Sequence, residues 1–143
     1  MLTSILIAID GTPDTHALLV LARKLARPET QTHILYVSDA AYTLTLEAVD
    51  NSAATTEQGA AVRLLNEVLA AANALGLNAK GHVVGGDPAA LIVAQAQNIG
   101  ASLIVMGHRQ LSPLSRLFDP SVCIQVIKTA TCPVLIDGFN AHV

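Results

Sequence analysis

The chain has 143 residues, enough for one domain with its own core, and it is 52% hydrophobic but only 3% aromatic, with no Trp. A net charge of −3 gives no electrostatic footprint for nucleic acid, and four aromatic residues make no base-stacking platform. No apolar run approaches the roughly 20 residues of a membrane span.

The first apolar run, Ile5 to Ile9, is too short for a signal peptide and ends at Asp10, so a cytoplasmic location is expected. Cys123 and Cys132 form no CxxC motif and are too few for a disulfide scaffold; two buried, reduced thiols are expected. The five histidines show no HExxH or HxH spacing, so no metal site is expected.

Residues 4–9 read as a central strand, apolar on both faces, closed by Asp10-Gly11. Thr12-Pro13 then opens a helix with Ala17, Leu18, Leu21, Ala22 and Leu25 at helical spacing, and Pro28 closes it. Residues 32–37 form the second strand. Residues 38–56 lack a sustained pattern; a mobile connection with a short turn around Tyr42, Leu44 and Leu46 is expected. Residues 57–75 form an amphipathic helix with Ala61, Leu65, Val68, Leu69 and Ala72 on one face and Gly76 as its stop. A third strand covers 79–84, with Gly81 as an interruption. Gly85-Gly86-Asp87-Pro88 is a turn followed by an N-cap and a first-turn proline, and that helix runs to Gly100. Leu103 to Met106 is the fourth strand, ended by Gly107. Asp119-Pro120 begins the fourth helix, 121–129, and residues 133–136 make the fifth strand.

Strands alternating with helices predict a doubly wound α/β domain spanning 1–143, its five-stranded parallel sheet covered by helices on both faces. Strand orders 2-1-3-4-5 and 3-2-1-4-5 both suit five strands. In the second, strands 1 and 4 lie side by side, and their carboxyl ends form the switch point where ligands sit. Asp10 and Gly107 would then share one site.

Four stretches carry a family resemblance: Ile5 to Thr12, Gly86-Asp87-Pro88-Ala89, Ile104-Val105-Met106-Gly107 with Arg109, and Cys132-Pro133-Val134-Leu135. In this order over most of the chain they resemble the universal stress proteins. The resemblance implies the 3-2-1-4-5 sheet, a homodimer paired through the last strand (133–136), and an adenine-nucleotide cleft for AMP, ADP or ATP. It places that cleft at Ile9, Asp10, Gly11, Val37, Met106, Gly107, Arg109, Gln110, Ser121 and Val122, with Asp10 contacting the base.

The ATP-binding members of that family carry Gly-x2-Gly-x9-Gly-Ser/Thr after the fourth strand. Here the positions hold Gly107, Gln110, Pro120 and Ser121, and another position commonly glycine holds Pro113. Gln110 resists the positive φ and close phosphate approach that glycine allows. Pro120 has no N–H to donate, and Asp119 puts a carboxylate where polyphosphate charge would lie. Each polar residue also has a plainer role. Asp10 can cap the first helix, Arg109 and Arg116 can be solvated or pair with Asp119, and Ser121 can be an ordinary first-turn serine.

Catalytic motifs are missing from the sequence: no Gly-x-Ser-x-Gly elbow, no P-loop, no flavin phosphate loop, and none of the paired acids of a response regulator. The expectation is therefore a non-catalytic stress or signalling module with a residual nucleotide cleft that binds triphosphate weakly or not at all. The alternatives are an ATP-binding member with slow ATPase activity, using His108 and the arginines in place of the glycines, and a nucleotide-free dimeric interaction protein.

Overall fold

Ile5, Leu6, Ile7, Ala8 and Ile9 are all fully buried, as a strand covered on both faces requires. They belong to β1 (Ser4–Ile9), at the centre of a computed structural model that describes residues 2–9, 15–38, 43–45, 56–107 and 120–137. The other elements are α1 (Thr15–Leu25), β2 (Gln31–Ser38), β3 (Thr43–Thr45), α2 (Thr56–Ala74), β4 (Asn78–Gly85), α3 (Pro88–Ile99), β5 (Leu103–Gly107), α4 (Pro120–Thr129) and β6 (Val134–Asp137). The sheet order is β3-β4-β2-β1-β5-β6. Without β3 this is the 3-2-1-4-5 order, with all five strands parallel.

The sixth strand was not expected. Residues 43–45 pair antiparallel with β4, Leu44 opposite Val83, where a turn was predicted. The rest of the connection expected to be mobile, like the expected opening of the first helix at Thr12-Pro13, lies outside the described residues.

Right-handed crossovers decide which face each helix covers. From β1 to β2 to β4 the chain steps one way along the sheet, so α1 and α2 share a face and pack together. From β4 to β5 to β6 it steps back, which puts α3 beside α4 on the other face. Leu18, Leu19 and Ala22 of α1, Leu65 and Ala72 of α2, Ile92 of α3 and Val126 of α4 are buried against the strands.

Gly81 does not interrupt β4, which is continuous through it. A Cβ at Gly81 would lie 2.9 Å from Leu65 Cδ2, so the glycine lets α2 lie close on the sheet. Asp87 caps α3, its Oδ2 accepting from the Ala90 N–H at 3.1 Å. Gly100, at φ 63°, ends that helix in a left-handed turn closed by Ala101 N–H to Ala96 O at 2.8 Å. Ser102 ties β1 to β5: its Oγ accepts from the Thr3 N–H at 3.1 Å, and its N–H donates to Ser4 O at 2.7 Å.

Candidate functional site

The β1–β5 pairing brings the two suspected stretches to one edge. Ile7 is level with Val105, so Ile9 and Gly107, each two residues further on, end their strands together. On the other side Ile9 is level with Tyr36, one residue before Val37. Ile9 and Met106 are fully buried, and Val37 is nearly so. They form an apolar floor along the carboxyl ends of β1, β2 and β5, the position where doubly wound sheets take ligands.

A side chain of the helix opposite this edge ties it to β5. Cys123, buried in α4, donates its thiol to the Gly107 carbonyl oxygen at 3.4 Å. The chain thus leaves the sheet at Gly107 and re-enters described structure at Pro120, three residues before an anchor on that same glycine. The α4 N-terminus, the positive end of its dipole, is thereby kept beside the switch point. Ser121 is exposed in its first turn and Val122 is half-buried.

Of the residues expected in the cleft, the structure brings Ile9, Val37, Met106 and Gly107 together on the strand edge and places Ser121 and Val122 at the start of α4. Asp10, Gly11, Arg109 and Gln110 lie outside the described residues, as do His108, Pro113, Arg116 and Asp119.

Two features were not anticipated. Cys123 was expected only as a buried thiol, and it is the link between β5 and α4; its spacing of three from the buried Val126 was the available signal. The second cysteine corrects the expectation, since Cys132 is half-buried rather than buried, though its thiol pKa is still raised by desolvation. Thr15, the first residue of α1, buries its Oγ1 without a partner among the described residues. A buried hydroxyl left so is costly. Among the described residues no cluster of His, Cys, Asp or Glu could hold a metal ion. No described helix is long and apolar enough to cross a membrane.

Apolar strand ends, faced by a helix N-terminus across a switch point, are the geometry of a doubly wound α/β protein. The chain belongs to the universal stress protein family, whose pattern it matches over residues 1–137. It is 30% identical to the universal stress protein YxiE of Bacillus subtilis, over 95% of this chain and 99% of that one. Among solved structures it resembles a universal stress protein in complex with cAMP, at TM-score 0.70 and 20% identity, covering 94% of this chain and 95% of the other. It also resembles the Archaeoglobus fulgidus universal stress protein in complex with dAMP, at TM-score 0.68 and 19% identity, covering 94% and 96%. Both likenesses are of fold.

Proposed function

We propose that this protein is a non-catalytic stress-response or signalling module that binds an adenine nucleotide by its base and nearest phosphate, and the triphosphate weakly or not at all. One observation carries the reading. Ile9, Val37 and Met106 make the strand ends apolar, and α4 is tied to Gly107 beside them, while Gln110, Pro113 and Pro120 stand at the family's glycine positions. Ligands with one phosphate suit such a cleft, and the two structural relatives bind cAMP and dAMP. Asp10 would contact the base and Arg109 the phosphate.

The same reading includes a homodimer. β6 is the edge strand of the sheet, its residues are only half-buried, and it carries no charge until Asp137. An unprotected edge of that kind invites pairing with a second copy.

Calorimetry with AMP, cAMP and ATP on protein stripped of carried-over nucleotide tests the proposal. Saturable binding of a monophosphate, with ATP weaker, supports it. ATP bound more tightly than AMP, or hydrolysed, would make the protein an ATP-binding member of its family. Failure of all three to bind would leave an interaction protein.

A further inference from the structure

At the opposite end of the sheet, where α1 and α2 run out into β2 and β4, there is a half-enclosed cavity of about 130 Å³. The full length of β1, roughly 20 Å for its six residues, separates it from the nucleotide cleft. Two arginines line it, Arg23 and Arg27, both exposed to solvent, together with Thr30, Gly76 and Asn78.

Two like charges on one small cavity call for an explanation, and the local bonds supply half of it. Arg23 Nε donates to the Leu75 carbonyl at 2.8 Å, which leaves its two terminal nitrogens uncommitted by that bond. Arg27 makes no side-chain hydrogen bond or ion pair with any described residue. Glu29, in the same turn, is exposed and does not line the cavity.

Helix C-termini would ordinarily repel an anion here. Part of their carbonyls are already occupied, mainly those of α2. Gly76 N–H bonds Asn73 O at 3.0 Å, Leu77 N–H bonds Ala72 O at 3.0 Å, and Ala26 N–H bonds Ala22 O at 2.8 Å. With Arg23 on Leu75, the negative end of α2 is largely capped from within, and the charges of Arg23 and Arg27 stand against the open carbonyls of α1.

The wall is also rigid before any ligand arrives. Arg27 N–H donates to Thr30 Oγ1 at 3.0 Å, Thr30 N–H donates back to Arg27 O at 3.0 Å, and Thr30 Oγ1 donates to Leu2 O at 2.8 Å. Thr30 is buried, so the turn bearing Arg27 is fixed to the start of β1. Sites arranged in advance lose less on binding.

We propose that this cavity binds a small oxyanion of the phosphate class, held between the terminal nitrogens of Arg23 and the guanidinium of Arg27, with the Asn78 side chain at its rim. A carboxylate is satisfied by one guanidinium fork; two forks on one cavity match a tetrahedral dianion with oxygens facing both. Such a site is independent of the nucleotide cleft.

The test is a titration of inorganic phosphate followed by amide and arginine Nε resonances, with sodium chloride at matched ionic strength as control. Saturable shifts at Arg23, Arg27, Gly76, Leu77 and Asn78 are expected. Arg27→Gln should weaken binding at least about tenfold without unfolding the chain, because that side chain caps nothing described. Lys24→Gln, which changes an exposed cation outside the cavity, should leave the affinity unchanged. Glycerol phosphate binding as well as the free ion would assign the site to a phosphorylated small molecule, and its exclusion to inorganic phosphate. Shifts linear in phosphate and equal in chloride, or an Arg27→Gln variant that binds as the wild type does, would overturn the proposal.

Discussion

Replacing Gly81 with alanine tests the packing of α2 on the sheet. The added Cβ would stand 2.9 Å from Leu65 Cδ2 and 3.0 Å from both Cδ1 and Cγ. Because the branch atom itself is too close, turning the leucine methyls cannot relieve the overlap. Leu65 is fully buried, so there is no free space to move into. Either α2 lifts or β4 bends, and overpacking of this kind typically costs about 1–3 kcal/mol. Restricting the unfolded chain returns about 0.4–1 kcal/mol, so a net loss of about 1–2 kcal/mol is expected. For 143 residues at about 2.1 cal/mol/K each, the unfolding entropy is about 0.3 kcal/mol/K, and Tm should fall by about 3–7 °C. Urea denaturation of wild type, Gly81→Ala, Leu65→Ala and the double variant completes the cycle. Leu65→Ala alone should cost about 2–5 kcal/mol, and less in the Gly81→Ala background, where the cavity accepts the new methyl. The coupling should reach about 1 kcal/mol. A neutral Gly81→Ala, or strictly additive effects, would mean that α2 does not press on β4 at this point.

Val134→Lys places a charge on the β6 edge, and light scattering should then report monomer; a dimer that persists unchanged puts the interface elsewhere. His33 and His82 stack with ring centroids 5.7 Å apart, and burial, then the charges of His82 and Lys80, hold the His33 pKa below its usual 6.5. The folded chain therefore binds fewer protons there than the unfolded one, so this stability is complete above about pH 6.5 and is lost as pH falls through that value. His33→Gln should flatten the decline in urea midpoint between about pH 7.5 and 5; an equal decline in both proteins would remove His33 from the account. Gln110→Gly with Asp119→Gly and Pro120→Gly should raise ATP affinity at least about tenfold, since a charge-assisted hydrogen bond alone is worth about 1.5–3 kcal/mol. A folded triple variant that gains nothing in calorimetry would show that this loop is not what limits triphosphate binding.

How much of this was legible follows from how local each signal is. Asp87-Pro88 and Gly100 bracket α3 because a cap, a first-turn proline and a left-handed stop each act within one turn. β1 was legible because a strand buried on both faces cannot hide its composition. The strand order was not settled by periodicity, which allowed two windings, and came from the resemblance. β3 was illegible because three residues carry no period, and an antiparallel partner at the sheet edge is chosen by β4 rather than by their own pattern. Gly81 was misread for a related reason. In sequence a strand glycine looks like a break, whereas here it answers a leucine 16 positions earlier on another element.

The two halves of the cleft differ in what holds them. Ile9, Val37 and Met106, proposed for the cleft, are core residues, so trimming any of them would also open a cavity in the fold. Pro120 is the first residue of α4, where its missing N–H leaves no intrahelical bond unmade and its fixed φ favours the helix start. At that same position an ATP-binding loop needs a backbone donor and close approach. One substitution therefore favours the helix and weakens the phosphate cradle. Cys123 anchors α4 to Gly107 whether or not a triphosphate can be held there.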